Sequence, residues 1–113
     1  MPSEAPLDRD VILAIEDLDV IRLRLLFQAG ADPNGHDEFG VPHLHRAIDI
    51  ERDAAAQNGI PLRSELTEAI LDAGGNPRLE WNGQSALAFA SSIGHSAAQS
   101  TIQTQLDRGT KPK

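Results

Sequence analysis

Leu26-Phe27-Gln28-Ala29-Gly30-Ala31-Asp32-Pro33-Asn34 decides the reading of the fold. Leucine and phenylalanine close an apolar stripe, and Gly30 ends it, because only glycine enters a left-handed backbone without cost. Asp-Pro-Asn then forms a dense turn signal. After a few residues Asp37-Glu38-Phe39-Gly40-Val41-Pro42 leads into a new apolar-periodic stretch, His43-Leu44-His45-Arg46-Ala47. The same order returns downstream. Ile70-Leu71-Asp72-Ala73-Gly74-Gly75-Asn76-Pro77 is followed by Glu80-Trp81-Asn82-Gly83-Gln84-Ser85 and the apolar Ala86-Leu87-Ala88-Phe89-Ala90. Each copy is a helix end, a glycine stop, a turn, a second glycine and a helix start.

Working outward, Val11, Ala14, Ile15 and Leu18 fall at i, i+3, i+4 and i+7, one face of a helix, with Asp8 and Asp10 at its N-terminal side. Val20, Leu23, Leu26 and Phe27 define a second helix ending near Ala29. A third starts near Pro42 and includes Leu44, Ala47 and Ile48, with its far end open between Glu51 and Asn58. Leu62, Leu66, Ala69, Ile70 and Ala73 give a fourth. Ser85 to Ile93 gives a fifth, and Ser96 to Asp107, with Ala98, Ile102 and Leu106, a sixth. No stretch alternates with period two over a strand's length. The expectation is an all-α protein of six helices in three pairs.

The two copies resemble the ankyrin repeat, and the likeness covers residues 8–107. Gly30-Ala31-Asp32, the Gly40 and Gly83 turns, Leu44-His45-x-Ala47 and Gly94-His95 are the residues that carry it. The resemblance implies a solenoid of three helix pairs joined by short hairpin-like turns. Its repeats would span about 8–36, 37–79 and 80–107, after an extension at 1–7 and before a disordered tail at 108–113. It also implies that His45 hydrogen-bonds within its own turn. The chain departs from the family in two ways. Pro42-His43-Leu44-His45 lacks the threonine whose hydroxyl caps this turn, and Ala88 stands where a histidine would. Gly40 and Gly83 are 43 residues apart, against a family period of about 33. The excess is an insertion at about 50–61.

The chain has 113 residues, no cysteine and a net charge of −7. Without cysteine it has no disulfide framework, thiolate metal site or thiol nucleophile. No apolar run approaches the roughly 20 residues needed to span a bilayer. Met1-Pro2-Ser3-Glu4 lacks the basic-then-apolar plan of a signal peptide, so a cytoplasmic location is expected. Residues 1–60 carry 12 acidic and 5 basic side chains, and residues 61–113 carry 5 of each. An acidic face repels phosphate backbones, so nucleic acid is an unfavoured ligand and a basic protein surface a better one. The same excess could serve solubility alone.

Asp49, Glu51 and Asp53 concentrate this charge. They form either a solvated face or a patch for a basic partner, and they lack the terminal bidentate glutamate of a calcium loop. Phe39 and Trp81 sit at matching places before Gly40 and Gly83, flanked by Asp37, Glu38 and Asn82. Each ring either anchors a partner or folds back to brace its hairpin. Arg46 adds a cation on the third helix. His43 and His45, two apart on a helix, do not share a face, so no metal site is expected, nor any cofactor. No nucleophile or phosphate-loop motif is present. The sequence therefore predicts stoichiometric protein binding by a free monomer, with no role for nucleic acid or membrane. The partner would have a basic surface, such as a toxin neutralised by an immunity-type protein. The alternative is a self-assembling or adaptor helical-repeat protein. The candidate contact residues are Asp37, Glu38, Phe39, Arg46, Asp49, Glu51, Asp53, Trp81 and Asn82.

Overall fold

The computed structural model describes residues 8–110. Within them the chain forms α1 (Asp8–Glu16), α2 (Val20–Gln28), α3 (His43–Asn58), α4 (Glu65–Asp72), a ribbon of β1 (Glu80–Trp81) and β2 (Gln84–Ser85), α5 (Ala86–Ile93) and α6 (Ser96–Thr110). The protein is mostly helical. α1 packs on α2, α3 on α4 and α5 on α6. Between pairs, α1 lies against α3 and α3 against α5, while α2 lies against α4 and α4 against α6. The helices thus form two rows, each pair packing within itself and against the next pair along.

Periodicity sets the burial. Val11, Ala14 and Ile15 of α1, Leu44, Ala47 and Ile48 of α3, and Ala86 and Ala90 of α5 are fully buried. Alanines recur in this row, and their small side chains let neighbouring helices approach closely. Leu66, Ala69 and Ile70 of α4 and Ala98 and Ile102 of α6 complete the core. Leu18 breaks the expected stripe: it stands outside α1 with φ 57° and is 41% exposed. Leu62 lies before α4, and Leu87 is only half-buried.

The two copies found in the sequence fold alike. Gly30 and Gly74 take φ of 108° and 105°. Ala31 N–H returns to the Leu26 carbonyl and Gly75 N–H to that of Ile70. Asp32 then accepts from the N–H of Asn34, and Asn76 from that of Arg78. Asn34 links the turns, donating to the Gly74 carbonyl at 3.4 Å and accepting from Asn76 N–H at 2.6 Å. The first hairpin closes through a single bridge, His36 to Pro42, and the second through pairs Glu80–Ser85 and Trp81–Gln84.

The segment expected as an insertion is mostly helix. α3 runs on to Asn58 and stops at Gly59 with φ 64°. Residues 59–64 then lead to α4. α6 continues to Thr110, beyond the expected end at 107, while residues 1–7 and 111–113 lie outside the described residues.

Candidate functional site

The first hairpin is organised by Asp37. Its Oδ1 accepts the N–H groups of Phe39 at 2.8 Å and Val41 at 3.0 Å, and its Oδ2 accepts from the Arg46 guanidinium. Burial alone would raise the Asp37 pKa, but Arg46 and the backbone donors of Val41 and Phe39 outweigh it and hold the carboxyl below its ordinary value. Arg46 also reaches Glu16 of α1 at 3.3 Å. Tying the turn down from inside turns the next side chain outward, and Phe39 is 77% exposed. Phe39 and Leu13, itself 41% exposed, line a groove of about 600 Å³. Ile12, Asp8, Arg9, His36, Asp37, Glu38 and Arg46 complete its walls.

The second hairpin behaves differently. Trp81 is half-buried and meets Phe89 edge-on at 6.1 Å and His45 at 6.3 Å. His45 Nε2 pairs with the Gln84 carbonyl at 3.1 Å, so this histidine reaches across to the next hairpin and not within its own turn. Burial pushes the His45 pKa down, and the Gln84 carbonyl only partly offsets this. Phe39 and Trp81 are therefore not equivalent, because Trp81 finds a ring on α5 to close against. Asn82 stays exposed, with φ 55°.

The three neighbouring acids also separate. Asp49 and Asp53 are exposed, and Asp53 accepts from Gln57. Glu51 is 6% exposed, which corrects its expected place on a surface patch. Its Oε2 accepts Leu66 N–H at 2.7 Å and Thr67 N–H at 3.3 Å, and its Oε1 accepts the Thr67 hydroxyl at 2.7 Å. His95 Nε2 lies 3.0 Å from Oε1, and His95 Nδ1 accepts Ala98 N–H at 3.0 Å. Glu51 thus caps α4 from a different helix, where the helix dipole favours negative charge, and His95 caps α6. The adjacent Arg52 donates to the Ile93 carbonyl at the C-terminal end of α5. Asp37 needs the same correction: 6% exposed, it organises the hairpin without offering its carboxylate outward.

The structure therefore brings Asp37, Glu38, Phe39 and Arg46 together and leaves Asp49 and Asp53 exposed on α3. Trp81 and Asn82 belong to the other hairpin. Leu13, Ile12 and Asp8 were missed. The available signal was Leu13, an aliphatic residue off the stripe that α1 buries. Among the described residues no group of three or more histidine or acidic side chains is placed to hold a metal, and no helix is long and apolar enough to cross a membrane. No protein-family model matches the chain, and no curated protein does either.

Proposed function

We propose that this chain is a non-catalytic protein-binding module, an ankyrin-type stack of three helix pairs that grips a partner at the Phe39 groove. The observation that carries this reading is Phe39 itself, 77% exposed beside Leu13 at the tip of a hairpin held rigid by Asp37. A preset aromatic next to an apolar wall is how protein interfaces place their anchors. Two helix rows with neighbour-to-neighbour packing, and two turns with the same hydrogen bonds, support the repeat assignment. The groups best suited to chemistry are occupied, since Asp37, Glu51 and His95 each hold a helix or turn in place. Glu38, Asp49 and Asp53 remain exposed and suit a basic partner. A small acidic binder of this kind fits toxin neutralisation.

Affinity capture from the native cell, followed by reconstitution with the purified partner, tests this. Phe39→Ala should weaken the reconstituted complex by roughly 30-fold, the scale of an interface hot spot. Asp49→Lys with Asp53→Lys should slow association and flatten its salt dependence. A complex indifferent to both Phe39→Ala and Leu13→Ala would remove the groove from the reading.

A further inference from the structure

Two irregularities of the repeat meet at one place. In the third pair the turn between helices is Gly94-His95. Gly94 N–H bonds the Ser91 carbonyl, His95 N–H bonds that of Ala90, and Gly94 has φ 77°. In the first pair the same course is followed by Leu18-Asp19. Leu18 N–H bonds the Ile15 carbonyl, Asp19 N–H bonds that of Ala14, and Leu18 has φ 57°. Glycine enters this conformation freely and leucine does not. Leu18 gains little from burial in return, being 41% exposed. Its side chain lines a groove of about 300 Å³ together with Val20, Ala54, Ile60 and Pro61. The last three belong to the stretch that makes the middle pair longer than its neighbours. The costly leucine and the added segment thus build one apolar hollow. On α2, which begins at the groove-lining Val20, Ile21 is 76% and Leu25 58% exposed, while Ile60 is 45% exposed.

We propose that two copies of the chain pair through this face, Ile21 of each entering the groove of the other. A two-fold interface must be complementary to itself, and here the projecting Ile21 directly follows Val20, which lines the hollow. The charges complement in the same sense. Exposed Arg22 follows Ile21, whereas Asp17 precedes Leu18 and Glu65 stands at the groove rim, where Arg63, also at the rim, lies 3.8 Å from it. Exchange across the axis sets Arg22 of one copy near the carboxylates of the other. The carboxylate of Glu51, which also borders the groove, is already bonded by Leu66, Thr67 and His95, and Leu18, Val20, Ala54, Ile60 and Pro61 give the hollow an apolar wall that suits an aliphatic side chain. This departs from the free monomer expected from sequence. It uses a face separate from the Phe39 groove.

Sedimentation equilibrium over rising concentration decides the matter. The parent chain should approach the mass of two chains. Ile21→Glu and Ile60→Glu, both at exposed positions, should sediment as one chain at every concentration with helical circular dichroism intact, while Leu13→Glu keeps the parent's behaviour. Leu18→Gly removes the strained side chain without adding charge and should weaken pairing by roughly tenfold or more, the worth of burying a leucine side chain. A parent that sediments as one chain throughout overturns the proposal. So does a two-chain mass that survives Ile21→Glu and Ile60→Glu, or one that Leu18→Gly leaves unchanged. Phe39→Ala should not alter the mass, so failure here and failure of the proposed binding groove are read separately.

Discussion

At Asp37 and His45, protonation and folding are coupled in the same direction by different causes. Burial works against the Asp37 carboxylate, but Arg46, Val41 and Phe39 more than compensate, so its pKa lies below 3.8. His45 is held below 6.5 because burial disfavours the imidazolium more than the Gln84 carbonyl favours it. In both cases the unfolded chain binds its proton first as pH falls. Each contribution is therefore complete above the unfolded value and declines as pH drops through the window down to the folded one. Acid should weaken the fold in two stages, the first beginning below 6.5 and the second below 3.8. Urea midpoints across this range should show His45→Gln flattening the first stage and Asp37→Asn the second. A stability profile with no decline until the carboxylate range would remove His45 from the account. Residue identity alone did not separate the three acids of α3. Helix geometry does, since Asp49 and Asp53 are one turn apart on one face while Glu51, two residues from each, points elsewhere. That argument applied to His43 and His45 in the sequence and holds equally for the acids. What it could not supply is the partner, because the α4 N-terminus that Glu51 caps lies 15 residues further along.

Each second helix of a pair starts on a different cap. Asp19 accepts Arg22 N–H at α2, Glu51 reaches α4 from α3, and His95 takes Ala98 N–H at α6. Ser64, the local N-cap of α4, makes no capping bond and turns instead to Glu68 and Thr101. The helices, their order and their glycine stops were legible because periodicity and punctuation are local signals. The 50–61 stretch was not, because apolar spacing fades along α3 after Ile48, and what holds it is long-range: Glu51 to α4 and Arg52 to Ile93. Periodicity gave no sign of the ribbon, because two-residue strands carry none, and only the resemblance implied hairpin-like turns there. A contrast between neighbouring glycines tests this level. The proposed family has alanine after the cap glycine, as at Ala31, so sequence alone makes Gly75→Ala harmless. In the structure a Cβ at Gly75 would stand 2.7 Å from both the carbonyl oxygen and Cγ2 of Ile70, and backbone cannot yield as a flexible side chain can. At Gly94 a Cβ meets nothing within 4 Å, so Gly94→Ala bears only the left-handed backbone cost, about 1–2 kcal/mol. Gly75→Ala should therefore cost at least as much as Gly94→Ala by urea unfolding, although its φ is not the reason. A neutral Gly75→Ala would show that the turn relaxes and that the resemblance is the better guide.

Across the whole molecule, the question is whether three pairs in a row unfold as one. Packing mainly to neighbours lets a stack come apart by segments, because each junction contributes its own stability. Polar ties cross both junctions. The first pair is joined to the second through Arg24–Asp72 at 3.1 Å, Arg46–Glu16, and buried His43 to Asp8 at 3.0 Å. Most of these sit at partly exposed sites, where an ion pair is worth about 1 kcal/mol or less. The second pair is joined to the third through Glu51–His95 and Arg52–Ile93, and Glu51 is buried. Removing a buried carboxylate strands its donors, Leu66, Thr67 and His95, at a cost of roughly 3–5 kcal/mol. That is a large fraction of the stability of a small domain, about 5–15 kcal/mol. Trp81 is the chain's one tryptophan, and it rests on His45 of α3 and Phe89 of α5, so its fluorescence reports this second junction alone. Circular dichroism reports every helix. In the parent protein the two probes should trace one urea transition, the mark of a single cooperative unit. In Glu51→Ala the fluorescence transition should move to lower urea and precede the loss of helix, because His95 loses its buried partner on α3 and α4 loses its cap, while the ties of the first pair are untouched. Glu51→Gln retains an acceptor and should fall between the two. Should both signals shift together by the full amount, the third pair has no independent existence and the molecule is one core, not a row of junctions.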